Sequence, residues 1–345
     1  MNAAKVEYKR LGKSGLRVSV PILGMMGMGS PTWQSWCLNK EQSLPILKRA
    51  YDLGVTTWDT ANAYSEGESE RLIGYAMKEY NIPREELVLM TKIYYPVANE
   101  KIEPFITDLS KRPEYVNQLG LSRGAIFKQV DACLERMQTD YIDLLQIHRY
   151  DKNVEPEEVM GALNDLVKSG KVRYIGASSM WAYQFTQLQH VAEKNGWTKF
   201  ISMQDHYSLL YREEEREMHP YCNITGVGII PWSPLFKGLL ARPSSVTDTL
   251  RMTTGTGALK TPPPTVKPEV KEIIDRVEEI SKKKGWTMTE VALVWIMSKV
   301  TSPIVGINSI ARLEDAIKIN GKELAEDELK YLEEPYLPRP IIGHF

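Results

Sequence analysis

The chain is 345 residues long, 43% hydrophobic and 25% charged, with 23 Gly and 20 Pro. That usage is ordinary for a globular protein and excludes collagen-like, low-complexity and disordered readings. A formal net charge of −1 leaves no cationic footprint for a nucleic acid. No apolar run approaches the roughly 18 residues that a membrane span needs.

Met1–Arg10 has no apolar stretch of the secretory-signal kind. Cys37, Cys133 and Cys222 are widely spaced, with no CxxC, so a reduced, cytoplasmic protein with structural thiols is expected. The length suits one α/β barrel domain over 1–345, and no composition break marks a boundary.

In chain order, Tyr8–Val20 holds Gly12-Lys13-Ser14-Gly15 between two short alternating stretches and reads as a hairpin. Eight apolar runs come after it: Pro21–Met26, Val55–Asp59, Leu87–Lys92, Tyr141–His148, Val172–Ala177, Phe200–Gln204, Val227–Trp232 and Pro303–Gly306. Short and rich in Val, Ile and Leu, they have the character of strands buried on both faces.

Helical stretches lie between them. Glu41–Leu53 ends at Gly54, Ser69–Tyr80 stops before Pro83, and Ser122–Met137 opens on Ser122 as N-cap. Pro156–Ser169 has Pro in its first turn and Gly170 beyond its end; Met180–Asn195, Arg212–Tyr221, Pro268–Lys284 and Ala311–Ile319 complete the series. This alternation predicts a parallel sheet with right-handed crossovers. Eight units in unbroken order favour a closed (β/α)8 barrel over an open doubly wound sheet.

Glu290–Val300 and Ala325–Glu334 fall outside the repeat and read as two extra helices of the C-terminal half. Two long segments, Ile93–Leu121 and Leu235–Lys267 (with Pro262-Pro263-Pro264), come after the third and seventh strands. Both leave the face where barrel enzymes take substrate, and the first is expected to cover part of that mouth.

Fold alone assigns no chemistry, so the polar residues at the strand ends carry the argument. The second strand ends in Trp58-Asp59-Thr60, with Tyr64 close behind; the third ends in Lys92 and the fourth in His148. Singly, each has a plain structural role: Asp as a turn cap, Lys as a solvated end, Tyr as packing, His as a core group. Four complementary groups on three successive strand ends outweigh that account.

The chemistry they suit is proton donation to a carbonyl as hydride arrives. Tyr64 is the acid; a phenol ordinarily titrates near about 10, and the Lys92 ammonium is expected to lower it. Asp59 would hold Lys92 in place and charged, and His148 would donate to the substrate oxygen. No second ligand stands at metal spacing from His148, which disfavours a metal.

Gly24-Met25-Met26-Gly27-Met28-Gly29 does not match the G-x-G-x-x-G of a dinucleotide fold. The later strand ends offer another site, in Gly176-Ala177-Ser178-Ser179, Met203-Gln204-Asp205 and Pro231–Gly238. Ser and Gln suit a carboxamide, while Trp232 offers a flat face to a nicotinamide ring and suits the core equally well. Lys237 with its glycine-bearing loop suits a pyrophosphate, and Arg312 near a helix start suits an anion.

Over about Tyr8 to Glu334 these motifs resemble the aldo-keto reductases. Trp58-Asp59-Thr60-Ala61-Asn62-Ala63-Tyr64, Thr91-Lys92, Gln146-Ile147-His148-Arg149 and Ile175-Gly176-Ala177-Ser178-Ser179 carry the likeness, with Tyr211–Glu217 and Trp232–Gly238 adding to it. The sequence is most similar to the family's fungal aryl-alcohol dehydrogenases and versiconal hemiacetal acetate reductases. The resemblance implies reduction of aldehydes, ketones or hemiacetals with NADPH/NADP+, on a tetrad of Asp59, Tyr64, Lys92 and His148.

It also implies a cofactor set. Asp59, Ser178, Ser179, Gln204 and Trp232 belong to the nicotinamide end. Ser233, Pro234, Leu235, Lys237, Gly238 and Arg242 belong to the phosphate loop. Gly306 and Asn308 join the set, and Arg312 matches the ligand of the 2′-phosphate. Ser179 and Ala316 stand where many members have Asn, which weakens the carboxamide contact and adenine recognition respectively.

The expected substrate is a small aromatic or polyketide-like carbonyl, met by His148, Trp33 and Tyr94. Trp36, Tyr95 and Trp181 lie near the same mouth, or pack ordinary loops. A cofactor-sensing regulatory subunit and a metal-assisted hydrolase on the same barrel are the alternatives. Neither a nucleic-acid nor a membrane partner is expected.

Overall fold

A computed structural model of the chain describes residues 6–98, 109, 112–246, 254 and 267–344. The hairpin is present as β1 (Glu7–Arg10) and β2 (Arg17–Val20), antiparallel. Its turn plugs the barrel floor: Leu11 is fully buried, and the Lys13 amide donates to the Gly226 carbonyl at 2.8 Å. Gly12 has φ +58°, and a Cβ there would lie 2.3 Å from the Gly226 oxygen, so only glycine fits.

Eight parallel strands succeed the hairpin: β3 (Ile22–Gly24), β4 (Thr57–Asp59), β5 (Val88–Ile93), β6 (Ile142–Ile147), β7 (Val172–Ser178), β8 (Ser202–Gln204), β9 (Gly228–Ile229) and β10 (Ile304–Gly306). They pair in the order β10-β3-β4-β5-β6-β7-β8-β9. The two edges meet where the Ile304 amide donates to the Pro231 carbonyl at 2.9 Å and Trp232 bridges Ile304. The sheet therefore closes as a (β/α)8 barrel, and the open-sheet alternative falls.

Several strands are shorter than the apolar runs that contain them. Pro21, Pro231 and Pro303 lack the N–H a ladder needs, and each lies just outside a strand. Pro231 cuts the run Val227–Trp232 to two residues of regular strand, with Trp232 continuing as an isolated bridge.

The ring helices are α1 (Lys40–Asp52), α2 (Glu68–Tyr80), α3 (Arg123–Met137), α4 (Pro156–Lys168), α5 (Ala182–Lys194) and α6 (Met218–Thr225). The rest are α7 (Pro268–Lys284), α8 (Met288–Met297), α9 (Ile310–Ile317) and α10 (Glu326–Glu333). Ser122 caps α3 as expected, accepting from the Ala125 amide at 3.3 Å.

Two helical expectations are corrected. Arg212–Tyr221 is not one helix: Glu213–Glu215 forms a 3-10 turn and α6 starts at Met218. The acidic run is pinned elsewhere, Glu213 by the Tyr336 hydroxyl and the Arg339 amide, Glu215 by Arg212. Secondly, α8 rather than α7 takes the seventh place in the ring. It is buried on nearly every side and packs against α9, whereas amphipathic α7 lies outside it against α10. The extra pair is thus α7 and α10.

Of the two long segments, residues 99–108, 110–111, 247–253 and 255–266, the triple proline included, lie outside the described residues. Among the described residues no helix is long and apolar enough to cross a membrane.

Strand periodicity sets the site. Met90 of β5 and Leu144 of β6 point into the barrel, in one cluster with Leu11, Val18, Ile22, Ile230 and Ile304. Their i+2 neighbours, Lys92 and Gln146, therefore also point inward, one layer nearer the mouth. The alternate residues Leu89, Leu145 and Ile147 pack outward against the helices.

Behind β5 lies a buried ion pair. Glu70 of α2 is fully buried; it accepts from Arg136 Nε at 2.6 Å and from the Thr91 hydroxyl at 2.6 Å. Removing one partner of such a pair strands a charge, so Arg136→Ala should cost about 3–5 kcal/mol of stability. Lys48→Ala, which breaks the half-exposed pair with Asp52, should cost less than about 1 kcal/mol. Urea unfolding of both variants measures the contrast; equal losses would contradict it.

Candidate active site

Asp59 closes β4, and the chain then turns sharply. Ser65 and Glu66 take left-handed φ values of 51° and 53°, a conformation that non-glycine residues resist. The Ser65 hydroxyl accepts from the Ser30 amide at 3.1 Å, and Asn62 Nδ2 donates to the Tyr95 carbonyl at 2.8 Å. This turn carries Tyr64 over the end of β5.

There Lys92 Nζ meets three acceptors: Asp59 Oδ2 at 2.6 Å, the Thr60 carbonyl at 2.8 Å and Tyr64 Oη at 3.4 Å. Three donors meet three acceptors, so the ammonium is saturated although 1% exposed. His148, beyond the end of β6, stands edge-on to Tyr64 with ring centroids 5.9 Å apart and edge-on to Tyr95 at 5.4 Å. The structure thus brings all four expected catalytic residues together.

Burial pushes the Tyr64 phenol up, and the Lys92 charge pulls it down; burial wins. Lys92 pulls the phenol down as expected, but desolvation of the phenolate, which the sequence does not show, outweighs the ammonium and leaves Tyr64 raised. Burial disfavours the Lys92 charge too, yet Asp59 and Tyr64 reverse this and raise it. Burial, then Arg149, then Lys92 hold His148 well below the usual imidazole range. At neutral pH the site holds a charged Lys92, a protonated Tyr64 and a neutral His148.

Asp59 Oδ1 accepts from Gln146 Nε2 and from Gln204 Nε2, each at 3.0 Å. Sequence reasoning gives Gln146 no role. Its only signal is the inward register two residues before His148.

The site continues from Gln204 along the ends of β7, β8 and β9. Ser178 Oγ donates to the Gln204 carbonyl at 2.7 Å, and Ser179, at φ 45°, accepts from Trp232 Nε1 at 3.0 Å. Trp232 is half-buried, with one face on His206 (4.2 Å, 8°); His206 in turn stacks on Tyr211 (4.4 Å, 14°). Burial, with Lys237 and Arg339, pushes His206 down to about 3, so it packs as a neutral ring. Sequence reasoning misses His206, which sits two residues past the end of a strand in a run with no charge pattern.

After Trp232, Ser233, Phe236, Lys237 and Gly238 all have positive φ, and the Lys237 amide donates to Ser233 Oγ at 3.4 Å. Pro234 is buried and Leu235 half-buried in the same turn. Burial and the nearby Arg312 hold Arg242 below the ordinary guanidinium value. Arg312 lies in the first turn of α9 and donates to Asn308 Oδ1 at 2.7 Å. Nearby, Glu314 pairs with Arg49, and Asp315 with Thr287 and Lys318. Gly306 has open space over its Cα, while Ala316 is buried in the core.

Residues 22–336 match the profile of the Aldo/keto reductase family. The chain is an aldo-keto reductase. An aldo-keto reductase of Metarhizium robertsii is 54% identical to it over all of this chain and 95% of the relative. The versiconal hemiacetal acetate reductase of Aspergillus parasiticus is 50% identical over 97% of this chain and 98% of its own. A putative aryl-alcohol dehydrogenase of Schizosaccharomyces pombe is 51% identical, covering 97% of both.

This reductase is accordingly an oxidoreductase of small carbonyl compounds, of a family that works with a nicotinamide cofactor. These relatives support catalysis over the regulatory-subunit alternative. Among the described residues no group of three or more His, Cys, Asp or Glu side chains is arranged to hold a metal ion. Its three cysteines are buried and form no disulfide among the described residues, and burial pushes the Cys133 and Cys222 thiols up, away from reactivity.

Of the residues expected at the substrate mouth, Tyr94 is half-buried and edge-on to Tyr95 at 5.0 Å. Trp33 is buried in the loop between β3 and α1, and Trp181 is exposed beside His344.

The sign of the Lys92 effect is testable in the alcohol-oxidising direction, which needs the Tyr64 phenolate. Lys92→Met removes the pull that opposes burial, so the pH limb for oxidation should move upward. The rate at a fixed neutral pH falls about tenfold for each pH unit the limb moves. An unmoved limb in an active variant would separate Lys92 from the proton step.

Proposed function

We propose that this enzyme is an NADPH-dependent reductase of aromatic or polyketide-like aldehydes, ketones or hemiacetals, with Tyr64 as proton donor. The single observation that carries the reading is the buried Lys92 ammonium, held by Asp59 and facing Tyr64 Oη. A nicotinamide held beside Ser178, Ser179, Gln204 and Trp232 would supply the hydride that the reduction needs.

The protein's own groups manage the proton. His148 is neutral at working pH and keeps an N–H to offer the carbonyl oxygen, which orients it beside the Tyr64 hydroxyl. As negative charge develops on that oxygen, Tyr64 gives up its proton. Lys92, 3.4 Å from Oη, stabilises the phenolate left behind. Asp59 keeps Lys92 charged and in place. In the reverse direction the phenolate takes the proton from the alcohol.

Two observations support a dinucleotide cleft here. Trp232 is flat against His206 and partly exposed, and the charge of Arg312 acts on the Arg242 guanidinium. Like charges brought together on a surface suit an anion between them. In this reading Ser178, Ser179, Gln204 and Asp59 belong to the carboxamide end and Trp232 to the ring. Ser233, Pro234, Leu235, Lys237, Gly238 and Arg242 cradle the phosphates, with Gly306, Asn308 and Arg312 at the 2′-phosphate.

The relatives named as aryl-alcohol dehydrogenase and versiconal hemiacetal acetate reductase support a flat, unsaturated substrate. So do the edge-on rings of Tyr94, Tyr95, Tyr64 and His148. Trp33 is kept as a substrate contact on sequence grounds. One barrel domain spans 1–345, and buried cysteines that form no disulfide suit a reducing, cytoplasmic compartment.

Tyr64→Phe should keep NADPH affinity and lose about 10²–10⁴-fold in the rate of aldehyde reduction. Stopped-flow consumption of NADPH measures it; near-native turnover would remove Tyr64 as the acid. Arg312→Leu should weaken NADPH by about 10–150-fold, the equivalent of a charge-assisted bond of roughly 1.5–3 kcal/mol. NADH, without the 2′-phosphate, should be little affected. Titrating both cofactors by tryptophan quenching decides it, since equal losses would make Arg312 a support of the loop.

A further inference from the structure

One buried group at the site takes no part in the proton relay. Gln146 is 0% exposed on the inward face of β6. Its Nε2 donates to Asp59 Oδ1 at 3.0 Å, and its Oε1 accepts from Gln204 Nε2 at 2.8 Å. Gln204 Nε2 also donates to Asp59 Oδ1 at 3.0 Å, which closes a three-membered ring across β4, β6 and β8.

The ring admits one assignment of the amide atoms. Asp59 Oδ1 accepts from both glutamines, so both turn nitrogen toward it. Gln146 then presents its oxygen to Gln204, which fixes the Gln204 nitrogen inward a second time. What Gln204 offers outside the ring is its carbonyl oxygen, a pure acceptor. On the other side, Asp59 has only Oδ2 left, and that oxygen holds Lys92.

We propose that Gln146 is a positioning residue that sets two things at once. It locks Asp59 against Lys92, and it locks Gln204 with its oxygen free to accept from the amide N–H of a bound nicotinamide. The inference rests on the reading of the cleft as the nicotinamide site. It makes the proton relay and the carboxamide contact share one buried amide, so that disturbing either reaches the other.

The test uses Gln146→Met, which keeps the length and removes the amide, with Gln204→Met and the double variant. Cofactor affinity comes from tryptophan quenching with NADPH and with NADH, and turnover from a pH series. Gln146→Met should weaken both dinucleotides by the same factor, about 3- to 10-fold, because the lost contact is at the nicotinamide end. The double variant should bind no more weakly than Gln204→Met alone, since Gln146 acts through Gln204. Additive losses would overturn the proposal, as would affinities and turnover equal to wild type.

Gln146→Glu separates positioning from packing. A neutral carboxylic acid there can donate to Asp59 and accept from Gln204; its carboxylate can only repel Asp59. Affinity and turnover should therefore recover towards wild type as the pH is lowered and fall as it rises, relative to wild type at each pH. A pH-independent deficit matching that of Gln146→Met would mean that Gln146 only fills space. Wild-type protein that binds neither dinucleotide would overturn the reading of the cleft and this proposal together. Wild type that binds both, with an unaffected Gln146→Met, would overturn the proposal alone.

Discussion

The site depends on a charge that the barrel interior should reject. Lys92 and Asp59 are both almost wholly buried, and withdrawing two ions from water costs several kcal/mol each unless their bonding is complete. It is complete here: the ammonium has three acceptors, and the carboxylate has Lys92 on one oxygen and two amides on the other. Those partners come from β4, β5, β6 and β8 and from the turn after β4, so the pair exists only when the barrel is closed and in register. A well-packed apolar pair would give comparable or greater stability, which makes the ion pair an element of chemistry rather than of folding.

That one cation has two electrostatic consequences. It favours the Tyr64 phenolate, opposing the burial that otherwise pushes the phenol up, and it disfavours an imidazolium at His148. The acid therefore keeps its proton until charge appears on the substrate, and its conjugate base has a counter-charge at hand. The imidazole stays neutral, able to donate without bringing a second positive charge that would compete for the oxyanion. Tyrosine and histidine are thus pushed into different roles by a shared loss of water, with Lys92 acting on both and Arg149 on the histidine more strongly still.

Much of this is legible in the sequence, for physical reasons. Buried parallel strands read as unbroken apolar runs, and Ser122 and Gly54 mark helix ends by their own chemistry. Ionisable groups at strand ends stand out against an apolar background, which exposes Asp59, Lys92 and His148. Gln146 does not stand out, because an amide carries no charge signal, and His206 does not, because it lies two residues past its strand. The partners of Gln146 lie 87 and 58 residues away, so its role is a matter of register. Desolvation of Tyr64 is equally unreadable, as it depends on what finally covers the ring. The sequence pattern misplaces α7 and α8 because amphipathicity marks a helix with one wet face. The seventh ring helix has almost none, being covered on its outer side by α7 itself.

The distribution of backbone strain obeys the same division. Eight described non-glycine residues have positive φ, and two of them, Asn81 and Gln138, are ordinary helix C-caps. The remaining six, Ser65, Glu66, Ser179, Ser233, Phe236 and Lys237, all lie beyond the C-terminal ends of β4, β7 and β9. Each is an unfavourable conformation that persists only when surrounding contacts over-determine it. At Ser65 the contact is the Ser30 amide, at Ser179 the Trp232 indole, and at Ser233 the Lys237 amide. The opposite end of the barrel is sealed by the hairpin and by an apolar layer in which nothing is strained or charged. A rigid floor lets the mouth hold conformations that would otherwise relax, and those conformations place Tyr64 over Lys92 and turn the Trp232 loop toward the arginine pair. The floor therefore acts on the chemistry without touching it, by fixing the strands whose ends carry the strained turns.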